Sequence, residues 1–194
     1  MNYLTVGTKE IRRDKFRKIE DTDLSGSMKP RGGMWFTEYD KNIKSYNVWV
    51  DFILERPNIL FYKNRGKNPF VQPCSIITLN ADVNLYALHN GATLDYLLKC
   101  FPYKDKFSYE DMSKYYDGIY VNMSSLNFCN YDEKVIKKFS SFDINSLILF
   151  NLDCINYYQS GEINIEPFDY EGDPYCDKYY EIKIDSEKKR VLKK

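Results

Sequence analysis

Lys29-Pro30-Arg31-Gly32-Gly33-Met34-Trp35-Phe36-Thr37 is the stretch of this chain on which the reading of its fold turns. Pro30 lacks a backbone donor and Gly32 and Gly33 lack a Cβ, so no regular element runs through the first five positions. Met34 to Thr37 then has the bulky, aromatic composition of a strand. An irregular segment here delivers the chain directly into a sheet.

Toward the N-terminus, Met1 to Val6 reads as a short strand that ends in the turn pair Gly7-Thr8. Lys9 to Ser27 is charged and then polar, a loop with room for one helical turn. Toward the C-terminus, Asn42 to Leu54 has near-helical apolar spacing until Arg56-Pro57 stops it. Cys74 to Leu79 is a β-branched run and reads as a buried strand. Leu85 to Phe101 carries a leucine stripe and reads as a helix, interrupted at Asn90-Gly91 and closed by Pro102. Ser108-Tyr109-Glu110-Asp111 has the pattern of a helix N-cap, and that helix should run to about Tyr116. Asp117-Gly118 turns into a strand from Ile119 to Met123, and Ser146 to Phe150 is a further apolar strand. Residues 156–176 are Tyr-rich and acidic without periodicity, Tyr179 to Ile184 alternates as a strand, and the basic tail after it should fray. Short strands and helices without a regular strand–helix–strand rhythm argue for an α+β domain.

The chain has 194 residues, enough for one domain with a core of its own. Its 28 basic and 28 acidic residues cancel, so the global charge calls for no polyanionic partner. The 18 Tyr and 12 Phe, beside abundant Lys, Asn and Ile, fit the coding bias of an AT-rich genome. Charge is locally uneven: Lys9 to Lys18 is basic, Glu162 to Asp177 is acidic, and the last seven residues are basic. Five scattered Cys without a CxxC pair read as reduced thiols. The sequence contains no apolar run of membrane-spanning length, which gives the expectation of a cytoplasmic protein without a membrane partner.

Several chemistries are disfavoured by the inventory. His89 is the sole histidine, with no nucleophile elbow near it, and reads as a partly exposed residue at a helix break. One His and dispersed Cys make a zinc centre improbable, and the Glu162–Asp177 carboxylates lack the spacing of a calcium loop, so no metal is expected. Arg31-Gly32-Gly33 has the spacing of neither a Walker loop nor a dinucleotide fingerprint.

Four pieces of the chain together resemble a family of small phage and bacterial proteins with an ADP-ribosyltransferase-like fold. They are Leu4-Thr5-Val6-Gly7-Thr8, Lys29 to Thr37, Tyr116-Asp117-Gly118-Ile119-Tyr120-Val121, and Ser146 to Asp153. The family's counterparts are a first strand with a His-x-Gly-Ser/Thr type ending, a Lys-Pro-x-Gly-Gly-Leu/Phe-Trp-x-Ser segment, a Tyr-Asp-Ala-Ile-Glu-Val strand and a strand ending in Asn-Pro-Asp. The resemblance spans roughly residues 3 to 155. It implies a domain at 1–155 with split antiparallel β-sheets flanked by a few helices, and an acidic, Tyr-rich extension at 156–194.

The same resemblance implies an NAD cleft. Gly7 would let the backbone approach the nicotinamide amide, with Thr5 and Thr8 beside it. Thr37 would supply a hydroxyl and Trp35 a wall, although Trp35 serves core packing equally well. Lys29 or Arg31 would meet the pyrophosphate, and Gly33 lies between them and the wall. Two departures accompany these matches. Thr5 stands where the family has His or Arg, and Tyr120 stands where it has the catalytic Glu, leaving Glu38, Glu162 or Glu166 as candidate replacements. Loss of such a stabilising charge costs on the order of 10²–10³ in rate. The implied function is an NAD-dependent mono-ADP-ribosyltransferase or NAD glycohydrolase of toxin, phage or anti-defence type, with a degenerate triad at Thr37, Tyr120 and Glu38. The alternative is an inactive member of the fold that binds a protein partner in phage–host conflict. Nucleic-acid binding through Lys9 to Lys18 and the tyrosines is a third and weaker reading.

Overall fold

The computed structural model describes residues 1–22, 28–42, 49–50, 71–126, 139, 142, 144–165 and 180–191. The helix expected over Asn42 to Leu54 lies almost wholly outside them. The described residues form a mixed α+β structure of ten strands and two helices, divided into two compact units. The first comprises Met1–Arg12, Thr37–Leu79 and Ile155–Lys193; the second comprises Arg13–Phe36 and Asn80–Cys154.

The first unit is an antiparallel sheet built on β1 (Asn2–Val6), β3 (Val71–Leu79), β9 (Ile155–Ile165) and β10 (Tyr180–Ile184). The second half of β2 (Met34–Tyr39) adds to it, with Leu4 opposite Thr37 and Tyr3 opposite Glu38. Side chains alternate across a sheet, and the registers place Leu4, Cys74, Ile76 and Ile163 on one face, where they form a buried cluster with Val50. The other face carries Tyr3, Ile77 and Tyr158 and a row of hydroxyls, Thr5–Ser75–Ser160.

That row explains why so polar a set of residues is buried. Ser75 Oγ donates to Thr8 O (3.0 Å) and Ser160 Oγ to Lys9 O (2.6 Å), while Lys189 Nζ donates to Ser160 Oγ (3.3 Å). The segment after β1 thus lies on the sheet with its carbonyls satisfied, and Ile11 is buried beneath it.

The described residues beyond 155 belong to the first unit. β9 pairs with β3 along the whole of Val71 to Leu79, and the boundary expected at 155 falls at its first residue. The tail holds its place too: Tyr158 and Lys189 exchange two backbone hydrogen bonds of 2.8 Å, and Val191 is buried. The expected fraying gives way to sheet completion, because the tail satisfies the edge of β9 that β10 leaves open.

In the second unit the first half of β2 pairs with β8 (Ser146–Leu149), β8 with β7 (Gly118–Val121), and β7 with β4 (Leu85–Leu88). The β4–β7 pair is parallel, a departure from the all-antiparallel expectation. A parallel pair requires a long crossover. Here it contains α1 (Gly91–Cys100), the hairpin β5 (Pro102–Tyr103) and β6 (Lys106–Phe107), and α2 (Tyr109–Met112). The expected helix from Leu85 therefore begins only at Gly91. Asn90 caps it, its side chain accepting from Thr93 N (2.9 Å) while Thr93 Oγ1 accepts from Asn90 N (3.1 Å). Leu85 to Leu88 is a strand instead, with Leu88 joining Leu94, Leu97, Ile119, Val121 and Ile148 in the core. Ser108 caps α2 as its pattern indicated, accepting from Asp111 N (3.0 Å).

A chain ending at residue 155 is expected to lose the cooperative thermal transition of the whole protein, since β3 would lose its β9 partner and the Ile163 contact to the core. Circular dichroism melts of both chains test this, and coincident transitions would show the tail to be dispensable.

Candidate functional site

The Lys29–Thr37 segment is positioned by a strand-like strap, residues 17–22, that runs against it. Glu20 and Arg31 exchange backbone hydrogen bonds (2.9 and 3.0 Å), and Gly33 N donates to Arg17 O (2.9 Å). Gly32 and Gly33 have φ of +70° and +65°. A Cβ on Gly32 would lie 2.0 Å from Lys18 O, and one on Gly33 would meet Ile19 Cδ1 at 2.9 Å and Ile148 Cγ2 at 3.0 Å. Both glycines are thus required by backbone conformation and by close packing inside this unit.

Beyond the glycines, Lys29 Nζ lies 5.6 Å from the Trp35 ring centroid and 5.9 Å from that of Phe142, and the two rings are 5.6 Å apart. Lys29 and Trp35 are both half-buried, so a cation rests on an aromatic surface that water partly reaches. Such contacts contribute about 0.5–2 kcal/mol, more as the pair is desolvated. Trp35 also packs against the core, the second of its two expected readings. The Arg31 side chain is exposed.

The strap is fastened by Asp21 and Lys106, which the sequence reading did not single out, and by the capping segment at Ser108. The Asp21 carboxylate accepts from Ser108 Oγ and from Tyr109 N (2.7 Å), and Glu110 Oε1 accepts from Asp21 N (3.0 Å). Lys106, nearly buried, donates to Thr22 O. Tyr109 is wholly buried and its hydroxyl has no hydrogen-bond partner among the described residues; burial and the Asp21 charge push its pKa well up. At the strand ends, Asp117 accepts from Asn84 N and Asn151 Nδ2 (both 2.9 Å), while Asn151 Oδ1 accepts from Asp153 N (2.9 Å). The third and fourth motif pieces thus meet in one polar network that ties β4, β7 and β8 together.

The remaining candidates divide between the two units. Thr5, Gly7, Thr8, Thr37 and Glu38 belong to the first; Lys29, Arg31, Gly33, Trp35 and Tyr120 belong to the second. Gly7 is exposed at φ +96°, its N–H donating to Pro73 O (2.7 Å), and Thr8 Oγ1 donates to Glu10 O (2.8 Å). Thr5 and Thr37 are buried and Glu38 is exposed. Leu4 faces Thr37 and Tyr3 faces Glu38, so strand alternation puts Thr37 on the opposite face from Thr5 and Glu38. Within the second unit, Trp35 aligns with Ile148 and Ile119, whereas Tyr120 aligns with Leu147, which pairs with Phe36. Trp35 and Tyr120 therefore lie on opposite faces of their sheet. Glu162 pairs with Lys9 at the surface, and Glu166 lies outside the described residues.

Comparison with known proteins found no match. No family model, curated protein or solved structure matches this chain.

The thiols of Cys74 and Cys154 are pushed up to about 12 by burial, which removes both as nucleophiles at neutral pH. His89 is exposed, with Nδ1 3.1 Å from Ala87 O. Among the described residues no group of three or more His, Cys, Asp or Glu is placed to hold a metal, and no helix is long and apolar enough to cross a membrane.

Gly32→Ala is expected to cost about 3 kcal/mol, combining left-handed strain with a backbone clash. The corresponding fall in Tm is roughly 6–12 °C. Tyr109→Phe removes an unsatisfied buried hydroxyl and is expected to stabilise by about 1 kcal/mol, raising Tm by roughly 2–4 °C. Calorimetric melts of the two variants check both signs.

Proposed function

We propose that this chain is an ADP-ribosyltransferase-like protein that binds NAD and cleaves its nicotinamide–ribose bond, with a degenerate catalytic set. The observation that carries this reading is the half-buried Lys29 ammonium on the Trp35 ring at 5.6 Å, at the head of β2. A cation beside an accessible aromatic face suits a ligand that combines a pyrophosphate with a planar ring. The resemblance of the four motif pieces supports the same reading.

In this reading Lys29 neutralises pyrophosphate charge, Trp35 stacks at the nicotinamide side, and Thr37 supplies a hydroxyl. Tyr120 stands where the resemblance expects the acid. A phenol stabilises a developing oxocarbenium charge poorly, so turnover should be slow, on the order of 10²–10³ below an enzyme with the acid in place.

A second reading is an inactive protein of the same fold that binds a protein target. It is favoured by the opposite faces occupied by Trp35 and Tyr120, which keep a wall and an acid-position residue of one strand system apart.

Incubation with NAD, followed by chromatographic assay of free nicotinamide, separates the two. Slow release that disappears in Thr37→Ala, together with NAD affinity lowered about tenfold or more in Trp35→Ala, is the expected result. Binding without release selects the second reading. Absence of both binding and release overturns the NAD assignment.

A further inference from the structure

The strap at residues 17–22 and the Lys29–Gly33 segment lie side by side as two antiparallel pieces, bridged at Glu20 and Arg31. With the single helical turn Arg13–Lys15 that leads into the strap, they carry a cluster of cations inside the second unit. Of the basic run Lys9 to Lys18, two members are already neutralised: Lys9 pairs with Glu162 and Arg13 with Asp153. Lys15, Arg17 and Lys18 are exposed, and so is Arg31 on the neighbouring piece. Among the described residues none of these four side chains forms an ion pair. The half-buried Lys29 adds a further positive charge at the end of the strip.

The carboxylates do not cancel this charge. Asp14 and Glu20 are exposed, Glu20 directly across the bridge from Arg31, while Asp21 is committed to Ser108 Oγ and Tyr109 N. The chain as a whole has equal numbers of acids and bases, so the excess is local and is held against its own repulsion.

The surroundings of the strip select the kind of anion it fits. A protein interface needs apolar anchors at its centre. The strap's own Ile19 is buried in the core, and the exposed large apolar side chains of the described residues, Met1, Tyr96 and Tyr115, all lie outside residues 13–36. The same lack leaves no side chain to enter a lipid surface. A chain of regularly spaced phosphates needs no apolar anchor, because release of its counterions supplies the affinity. Residues 17–22 extend over roughly 17 Å at about 3.3 Å per residue, long enough to run beside several phosphates of one strand. The guanidinium groups of Arg17 and Arg31 can each offer paired donors to phosphate oxygens.

We infer that this strip is a docking surface for the phosphate backbone of a single-stranded nucleic acid, held by Lys15, Arg17, Lys18 and Arg31 and opposed by Glu20. Contacts to phosphate alone carry no base information, so binding is independent of sequence.

The inference is independent of the NAD assignment, since it uses neither Trp35 nor Thr37. It is tested on the full chain by fluorescence anisotropy of a labelled oligothymidylate of about 16 nucleotides. One phosphate per cation gives a salt slope of roughly 0.7 each, so affinity should fall about 50-fold between 50 and 200 mM salt. Arg17→Gln, Lys18→Gln and Arg31→Gln combined should flatten the slope by about 2. Glu20→Gln should act in the opposite direction and tighten binding severalfold. Lys188→Gln with Arg190→Gln, which neutralises the separate basic cluster of the tail, should leave affinity unchanged. All the substituted side chains are exposed, and coincident melts check that the variants keep the fold. Absence of binding at the lower salt overturns the inference, as does an unchanged slope in the triple variant, unchanged affinity in Glu20→Gln, or loss of binding in the tail variant. Equal affinity for a polyglutamate peptide of the same charge overturns it too, by assigning the strip to an acidic protein segment.

Discussion

The close approach of Gly32 and Gly33 to the strap at Arg17 to Ile19 is the constraint from which the rest of the architecture follows. No residue with a Cβ fits 2.0 Å from the Lys18 carbonyl, and none adopts two successive left-handed conformations cheaply. The glycines fix the point at which β2 begins. β2 then serves two sets of partners, with Met34 to Phe36 hydrogen-bonding β8 and Thr37 to Tyr39 hydrogen-bonding β1. A start shifted by one residue would exchange Trp35 and Phe36 between faces. It would take Trp35 from Lys29 and Phe142 and put a different side chain opposite Ile148.

Elements whose signal is local could be read from the sequence. β1, β3, β7, β8 and β10 are short apolar or alternating runs bounded by turn residues, and Ser108 carries its own capping geometry. Elements defined by distant partners could not. Leu85 and Leu88 fall in helical phase with Leu94 and Leu97, yet the backbone of Leu85 to Leu88 is claimed by β7, and Asn90 starts the helix afresh. β9 looks aperiodic because each of its faces is covered only in part: Gly161 and Ile163 are buried on one and Tyr158 and Ser160 on the other, while Tyr157 and Gln159 stay half-exposed. Its buried Ser160 reads as a solvent-facing residue until the Lys9 carbonyl that binds it is in view.

The candidate site was legible as composition more than as geometry. Trp35 and Lys29 could be named from the motif and do lie together. The motif's glycines carry no such message about a ligand, because packing against the strap already demands them. Face assignment was beyond reach as well. Whether Tyr120 shares a face with Trp35 depends on the β2–β8–β7 register, which no single strand records. Asp21, Lys106 and Asp117 were hidden for a related reason. Their partners are backbone groups or side chains tens of residues away, so an isolated charge in sequence gives no hint that it is a fastener.

Two hydroxyl-bearing rows cross the same strands three residues apart, and they illustrate how environment assigns a role to chemically similar side chains. Thr5, Ser75 and Ser160 face the returning 8–11 segment, and the two serines spend their protons on its carbonyls, so that row is committed to holding the chain in place. Asn2, Thr78 and Tyr157 face the opposite way, half-exposed, with Thr78 Oγ1 donating to Asn2 Oδ1 and the Lys188 ammonium over the Tyr157 ring. A buried hydroxyl bonded to a backbone carbonyl cannot change partner without leaving that carbonyl unsatisfied, at a cost of about 1–3 kcal/mol. A half-exposed one bonded to an amide can reverse its bond at little cost, since the amide offers a donor or an acceptor by rotation. Packing thus decides which hydroxyls of this fold are committed to the backbone and which keep a choice of partner.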